Sequence, residues 1–238
     1  LVRTNFEFTT ALAAYAVRKG IRFIYASSAA TYGDGSAGYQ DSEDGLLRLR
    51  PLNMYGYSKH LFDLWAWRQG LLGQIAGLKY FNVFGPNEYH KGDMRSVVLK
   101  SFEQVRRDGC IRLFRSYRPE YADGEQRRDF LYVKDAAAMT LHFLDHPGLG
   151  GLYNIGSGRA RSWNDLARAI FTAMGLPSRI EYIEMPAPLR DRYQYFTEAC
   201  LDKLRLSGYD RPATSLEEAV ADYISYLNRG ARLSALPE

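Results

Sequence analysis

The chain has 238 residues, 46% of them hydrophobic and 24% charged, with a net charge of +4, the makeup of one large or two small globular domains rather than a disordered segment. The basic residues are scattered and not interleaved with aromatics in a stripe, which argues against a nucleic-acid surface and for a cleft that receives an anionic nucleotide. No run of about 18 apolar residues and no charged-then-apolar leader occurs, and Cys110 and Cys200 lie far apart, so the expectation is reduced thiols in a cytoplasmic protein with no membrane association.

The chain opens without an initiator Met on a helix-like segment, so the sequence is expected to begin inside a fold. No glycine-rich phosphate loop occurs near the start, and Gly156-Ser157-Gly158 comes too late and lacks a third glycine. Apolar residues at helical spacing predict a helix over 5–19 that ends at Gly20. A buried strand over 21–26 then delivers Ser27 and Ser28 at its carboxyl end, where open parallel sheets bind ligands. A polar loop over 34–50 precedes a helix over 55–68, and a strand follows over 75–81. Helix, strand, helix, strand is the order of a doubly wound α/β domain.

Beyond Pro86 the pattern predicts a helix over 96–107, a strand over 110–114, a polar stretch over 115–126, and a segment over 129–133 leading into a helix over 135–144. Strands over 152–155 and 180–183 flank a helix over 163–174 capped by Ser162. Thr197 is expected to open a short helix, and Ser215 with Glu218 forms a capping box for the last one. The fold expected is α/β: residues 1–90 are the later portion of a Rossmann-like parallel sheet without its phosphate-loop part. Residues 91–238 are a smaller substrate lobe, interleaved with late Rossmann elements around 129–160 and building no obvious sheet of their own.

The chemistry concentrates between Ser28 and Lys59. Tyr55 and Lys59 are four apart, which on a helix stacks them on one face; the ammonium there favours the phenolate and so proton exchange by the Tyr hydroxyl. A strand-end serine hydroxyl would hold the oxygen whose proton moves; Ser28 is the one that the resemblance named below selects, with Ser27 turning inward or satisfying local backbone. A Tyr and a Lys at this spacing alone are commonplace on helices, and the strand-end serines preceding them in the right order give the pair its meaning. His60, His142 and His146 have no partners at ligand spacing, so no metal is expected. The three tryptophans read as core or interface, the Tyr32 and Tyr57 phenols as structural hydrogen-bonders, and the Asp63 side of the catalytic helix as a solvated or subunit-facing surface.

The Ser28, Tyr55 and Lys59 set resembles the catalytic triad of the extended short-chain dehydrogenase/reductase superfamily of nucleotide-sugar enzymes. Three further stretches, Lys79 to Pro86, Arg127 to Asp135 and Tyr153 to Gly158, are similar to motifs of that superfamily in the same order. The loop Gly85 to Met94 and the run Arg192 to Thr197 are similar to its branch that epimerises an ADP-linked heptose for the lipopolysaccharide inner core. The resemblance implies an isomerase in which NADP takes a hydride from an unactivated carbinol carbon and returns it to the opposite face. It assigns Asn5, Lys59 and Val83 to the cofactor. Lys91 is the implied second acid/base, with binding of the cofactor phosphate as the alternative and His90 as a rival for the role. Ser28, Asn82, Asp93, Lys100, Phe114, Arg128 and Tyr193 are the implied substrate contacts. A guanidinium at Arg128 suits a diphosphate, the competing reading being an ion pair with Asp129 or a surface partner. Ser116 and Tyr117 lie in a stretch that departs from the family pattern, and Asp93 and Lys100 stand where other members carry serine and histidine. A ring-like homo-oligomer, a pentamer, is also implied. A dehydratase is disfavoured because no carboxylate accompanies Ser28. A uridine-diphosphate-hexose 4-epimerase and a non-catalytic binding module are the rival readings.

Overall fold

A computed structural model describes residues 2–190 and 192–230. A π-helical turn at Arg3–Phe8 runs into α1 (Thr9–Arg18), and β1 (Phe23–Ser28) follows. Helix α2 (Met54–Arg68) leads to β2 (Ile75–Tyr80) and the short β3 (Asn82–Phe84). The remainder is α3 (Val97–Asp108), β4 (Ile111–Phe114), β5 (Arg127–Tyr132), α4 (Val133–Asp145), β6 (Gly151–Ile155), β7 (Ala160–Ser162), α5 (Trp163–Met174), β8 (Ile180–Ile183), α6 (Ala187–Arg190), α7 (Asp202–Leu206) and α8 (Leu216–Asn228).

The doubly wound expectation holds in a parallel sheet of order β1-β2-β6, with Ser28 beside Tyr80 and Tyr80 beside Ile155 at its carboxyl edge. Every residue of β6 is buried, as a parallel strand covered on both faces requires. Around this sheet one apolar core gathers Phe62, Ala66, Ile75, Leu78, Met139, Phe143 and Leu152. A second core is built by α3, α5 and α8 with β4, from Phe102, Ile111, Ile170, Phe171, Val220 and Tyr223.

Two expectations fail here. The later segments do build sheets, a β3-β5-β7 sheet and a parallel β4-β8 pair, because isolated strands of three to six residues pair with segments far away in sequence that periodicity cannot identify. Thr197 opens no helix: its amide donates to the Arg127 carbonyl and its hydroxyl accepts from the Asp129 amide. That pairing holds the chain extended alongside β5, and the short helix begins only at Asp202. The capping boxes at Ser162 with Asp165 and at Ser215 with Glu218 are both formed.

Candidate active site

The edge strand β1 ends in the two serines, and the alternation of a strand sends them opposite ways. Ser27 Oγ donates inward to Asp63 Oδ2 at 2.7 Å. Ser28 Oγ accepts the Ala30 amide at 3.1 Å and so caps a 3-10 turn over Ala29–Tyr32. That bond uses an acceptor site of the hydroxyl and leaves its proton to be donated elsewhere.

Helix α2 starts where the Asn53 side chain accepts the Gly56 amide at 2.9 Å. Gly56 is required because a Cβ there would stand 2.7 Å from the Ala30 carbonyl, so only glycine lets the helix start meet the Ser28 turn. Tyr55 is consequently exposed beside the turn, with the Lys59 ammonium 6.0 Å from its ring centroid. Lys59 Nζ donates to the Ala26 carbonyl at 2.9 Å. Burial draws its ammonium below the usual lysine range, and Asp63 opposes the shift. Asn5 reaches the same helix, donating to Ser58 Oγ at 3.0 Å, and Ser58 in turn donates to the Tyr55 carbonyl. A cavity of about 160 Å³ lies between Asn5, Thr9, Ala26 and Lys59.

The expectation of a surface around Asp63 is wrong. Asp63 is fully buried, one turn beyond Lys59, and its carboxylate accepts from Tyr25, Ser27 and Lys79 at 2.9, 2.7 and 2.7 Å. Lys79, 1% exposed in β2, also donates to Thr31 Oγ1 at 2.7 Å and lies over the Tyr32 ring. A carboxylate inside the core is tolerable only with such partners, and Lys79 within an otherwise apolar strand was the signal for it. Tyr32 does donate structurally, to Asn154 Oδ1 at 2.7 Å.

A second cavity, of about 170 Å³, is lined by Ala30, Leu52, Asn53, Arg128, Arg192, Tyr193 and Gln194. It joins the predicted Arg128 and Tyr193 to the turn beside Ser28. Arg128 is 6% exposed, and its guanidinium lies 5.0 Å from the Tyr193 ring centroid and 5.7 Å from that of Trp163. Its one hydrogen bond among the described residues goes to the Arg127 carbonyl, 2.9 Å away. No described carboxylate pairs with it, and Asp129 is occupied by the amides of Ser157, Gly158 and Ala199. Burial pulls Arg128 below its ordinary range while the neighbouring tyrosines oppose the change. Sequence reasoning missed Arg192 on the cavity wall and Trp163 beneath the guanidinium.

The other predicted residues fall outside these two cavities. Asn82 is exposed on β3, opposite Phe130, and Val83 is half-buried beside it. Lys91, His90 and Asp93 are exposed on a turn over Tyr89–Met94. Its entrance is fixed where buried Glu88 accepts from the Ser96 amide at 2.6 Å and from Tyr223 at 2.9 Å. Lys100 donates to the Asp93 carbonyl. Phe114 ends β4, its carbonyl and that of Arg115 accepting from buried Gln126. No cluster of metal-ligating side chains occurs among the described residues, and no helix among them is long and apolar enough to cross a membrane.

Comparison with known proteins gives this geometry relatives. The chain is 55% identical over 224 residues to ADP-L-glycero-D-manno-heptose-6-epimerase of Nitratidesulfovibrio vulgaris strain DP4, covering 94% of this chain and 69% of the relative. It is 47% identical to the protein of that name from Fusobacterium nucleatum, covering 94% and 70%. The crystal structure of the Helicobacter pylori ADP-L-glycero-D-manno-heptose-6-epimerase superposes with a TM-score of 0.77 at 28% identity, over 94% of this chain and 65% of that one. The chain therefore spans about two thirds of the length of these proteins. The model of the NAD dependent epimerase/dehydratase family matches residues 1–156, and the chain belongs to that family.

Proposed function

We propose that this chain carries the substrate-reading and proton-transfer residues of an enzyme interconverting ADP-D-glycero-D-manno-heptose and ADP-L-glycero-D-manno-heptose in lipopolysaccharide inner-core precursor synthesis. The observation that carries the reading is Arg128, a buried guanidinium with no described anionic partner, held between aromatic faces in the cavity beside Ser28. A diphosphate supplies the missing charge in bidentate form, and anchoring it there sends the attached sugar toward Ser28 and Tyr55. The relatives' name selects the ADP-heptose among nucleotide sugars.

A nicotinamide dinucleotide, which we take to be NADP, would set one ribose in the small cavity beside Lys59, where an amide, a hydroxyl and an ammonium suit ribose hydroxyls. When bound it supplies hydride removal and return at the carbinol carbon. Asn5 and Lys59 would hold it, with Val83 on the nicotinamide side. Ser28 donates to the reacting sugar oxygen, and Tyr55 takes and returns its proton with Lys59 beneath it. Lys91, on its pinned turn, serves the opposite face of the sugar or a cofactor phosphate. Asn82, Asp93 and Tyr193 contact the substrate, Phe114 lines the nucleoside end, and Lys100 contributes less because its ammonium is tied to the Asp93 main-chain carbonyl. The same reading carries a cytoplasmic, ring-like homo-oligomer.

The test is to incubate protein from the complete reading frame with ADP-D-glycero-D-manno-heptose, without added cofactor, and follow the sixth carbon by NMR. Conversion is expected, and Tyr55→Phe should slow it by about 10²-fold or more with the fold kept. Turnover of a uridine-diphosphate hexose instead would replace the substrate assignment; near-normal turnover by Tyr55→Phe would remove that residue from its role.

A further inference from the structure

Thr31 is buried at the end of the turn that Ser28 caps, and it takes part in two hydrogen bonds through one oxygen. Lys79 Nζ lies 2.7 Å from Thr31 Oγ1, and Thr31 Oγ1 lies 2.8 Å from the Ser28 carbonyl. An ammonium can only donate, so Thr31 accepts there and its single proton is committed to Ser28. The direction of the chain is thereby fixed: Lys79 to Thr31 to the Ser28 carbonyl. Lys79 is itself fixed by Asp63, which also accepts from Ser27. The backbone on both sides of the Ser28 hydroxyl is thus tied to one buried ion pair, and the other end of that pair sits on the helix carrying Tyr55 and Lys59.

We propose that Thr31 is a positioning residue for proton transfer, transmitting the placement of the Lys79–Asp63 pair to the Ser28 hydroxyl. This rests on Ser28 acting as read above. It predicts sensitivity of turnover rather than of substrate binding, because Thr31 lines neither cavity, and misplacement of a catalytic group by a fraction of an ångström is enough to slow the chemical step.

The experiment compares Thr31→Val, Thr31→Ser and Ser28→Ala in the full-length protein with ADP-D-glycero-D-manno-heptose, recording kcat, KM and thermal midpoint for each. Thr31→Val keeps the shape and removes both hydrogen bonds; kcat should fall about tenfold while KM changes less than about threefold. Thr31→Ser keeps the hydroxyl and should recover kcat to within about twofold, whatever its midpoint. A folded Thr31→Val protein with normal kcat overturns the inference, as does a kcat in Thr31→Ser as low as in Thr31→Val. If Ser28→Ala also turns over normally, the reading of Ser28 itself fails; if Ser28→Ala is slow and Thr31→Val is not, only the role of Thr31 falls.

Discussion

Lys79 and Arg128 are both cationic and both almost wholly buried, at 1% and 6% exposure, yet their surroundings are opposite. Lys79 meets a carboxylate and a threonine oxygen, each at 2.7 Å. Arg128 meets a carbonyl and two aromatic faces, with no described carboxylate. Taking a charge out of water costs several kcal/mol unless partners replace the lost solvent. Lys79 has that replacement inside the fold; cation–aromatic contacts of about 2 kcal/mol offset only part of it for Arg128. The chain itself completes the first site; in the function proposed above, a bound diphosphate completes the second.

The largest effect should follow from breaking the completed site. Lys79→Met leaves the Asp63 carboxylate buried with only hydroxyl partners and is expected to destabilise the protein by about 3–5 kcal/mol in denaturant titrations. Adding Asp63→Asn removes the stranded charge and should restore about half of that loss, a coupling that a double-mutant cycle reads directly. Strictly additive losses would mean the two residues do not depend on each other.

The mirror experiment sharpens the contrast. Arg128→Met removes a buried charge with no described partner, so stability should stay level or rise by about 1 kcal/mol. Affinity for an ADP-sugar, measured by calorimetry, should fall about 100-fold, the worth of a charge-assisted bidentate contact at about 2.7 kcal/mol. A strongly destabilised Arg128→Met protein with unchanged ADP-sugar affinity would make Arg128 a structural residue like Lys79.

The two sites were not equally legible. Tyr55 and Lys59 are local in sequence, and periodicity alone places α2 and β2 to within a residue at each end, so the helix carrying the proposed proton-transfer pair was readable in advance. Asp63 continues the same spacing, but an acid on a helix is ordinarily solvated, and only the lysine inside the apolar run of β2 hinted at a buried partner. The cavity at Arg128 draws on Ala30, Asn53 and Tyr193, and the guanidinium itself on Trp163, four separate segments. Resemblance supplied Arg128 and Tyr193; nothing in the local pattern could place Trp163 beneath the guanidinium, because that depends on the antiparallel β5-β7 register, Arg128 opposite Arg161.

The smallest predicted effect concerns His60, which neighbours the completed site. Burial, with the Lys79 charge adding to it, holds its imidazole down at about 4, against 6.5 in an unfolded chain, and its Nδ1 has no hydrogen-bond partner among the described residues. Between those values the unfolded chain takes up a proton that the folded protein refuses, so stability falls as pH drops from about 6.5 toward 4. The full shift would correspond to about 3 kcal/mol; His60 is only 5% exposed, and relaxation of the site around the charged ring reduces the expectation to about 1–2 kcal/mol. Denaturant titrations at pH 7, 5.5 and 4.5 should show that extra loss in the parent protein and not in His60→Leu. Because burial outweighs the Lys79 charge as the cause, most of the loss should persist in the Lys79→Met, Asp63→Asn double variant. Its disappearance there would mean that the ion pair, rather than the apolar packing of α2, keeps His60 neutral.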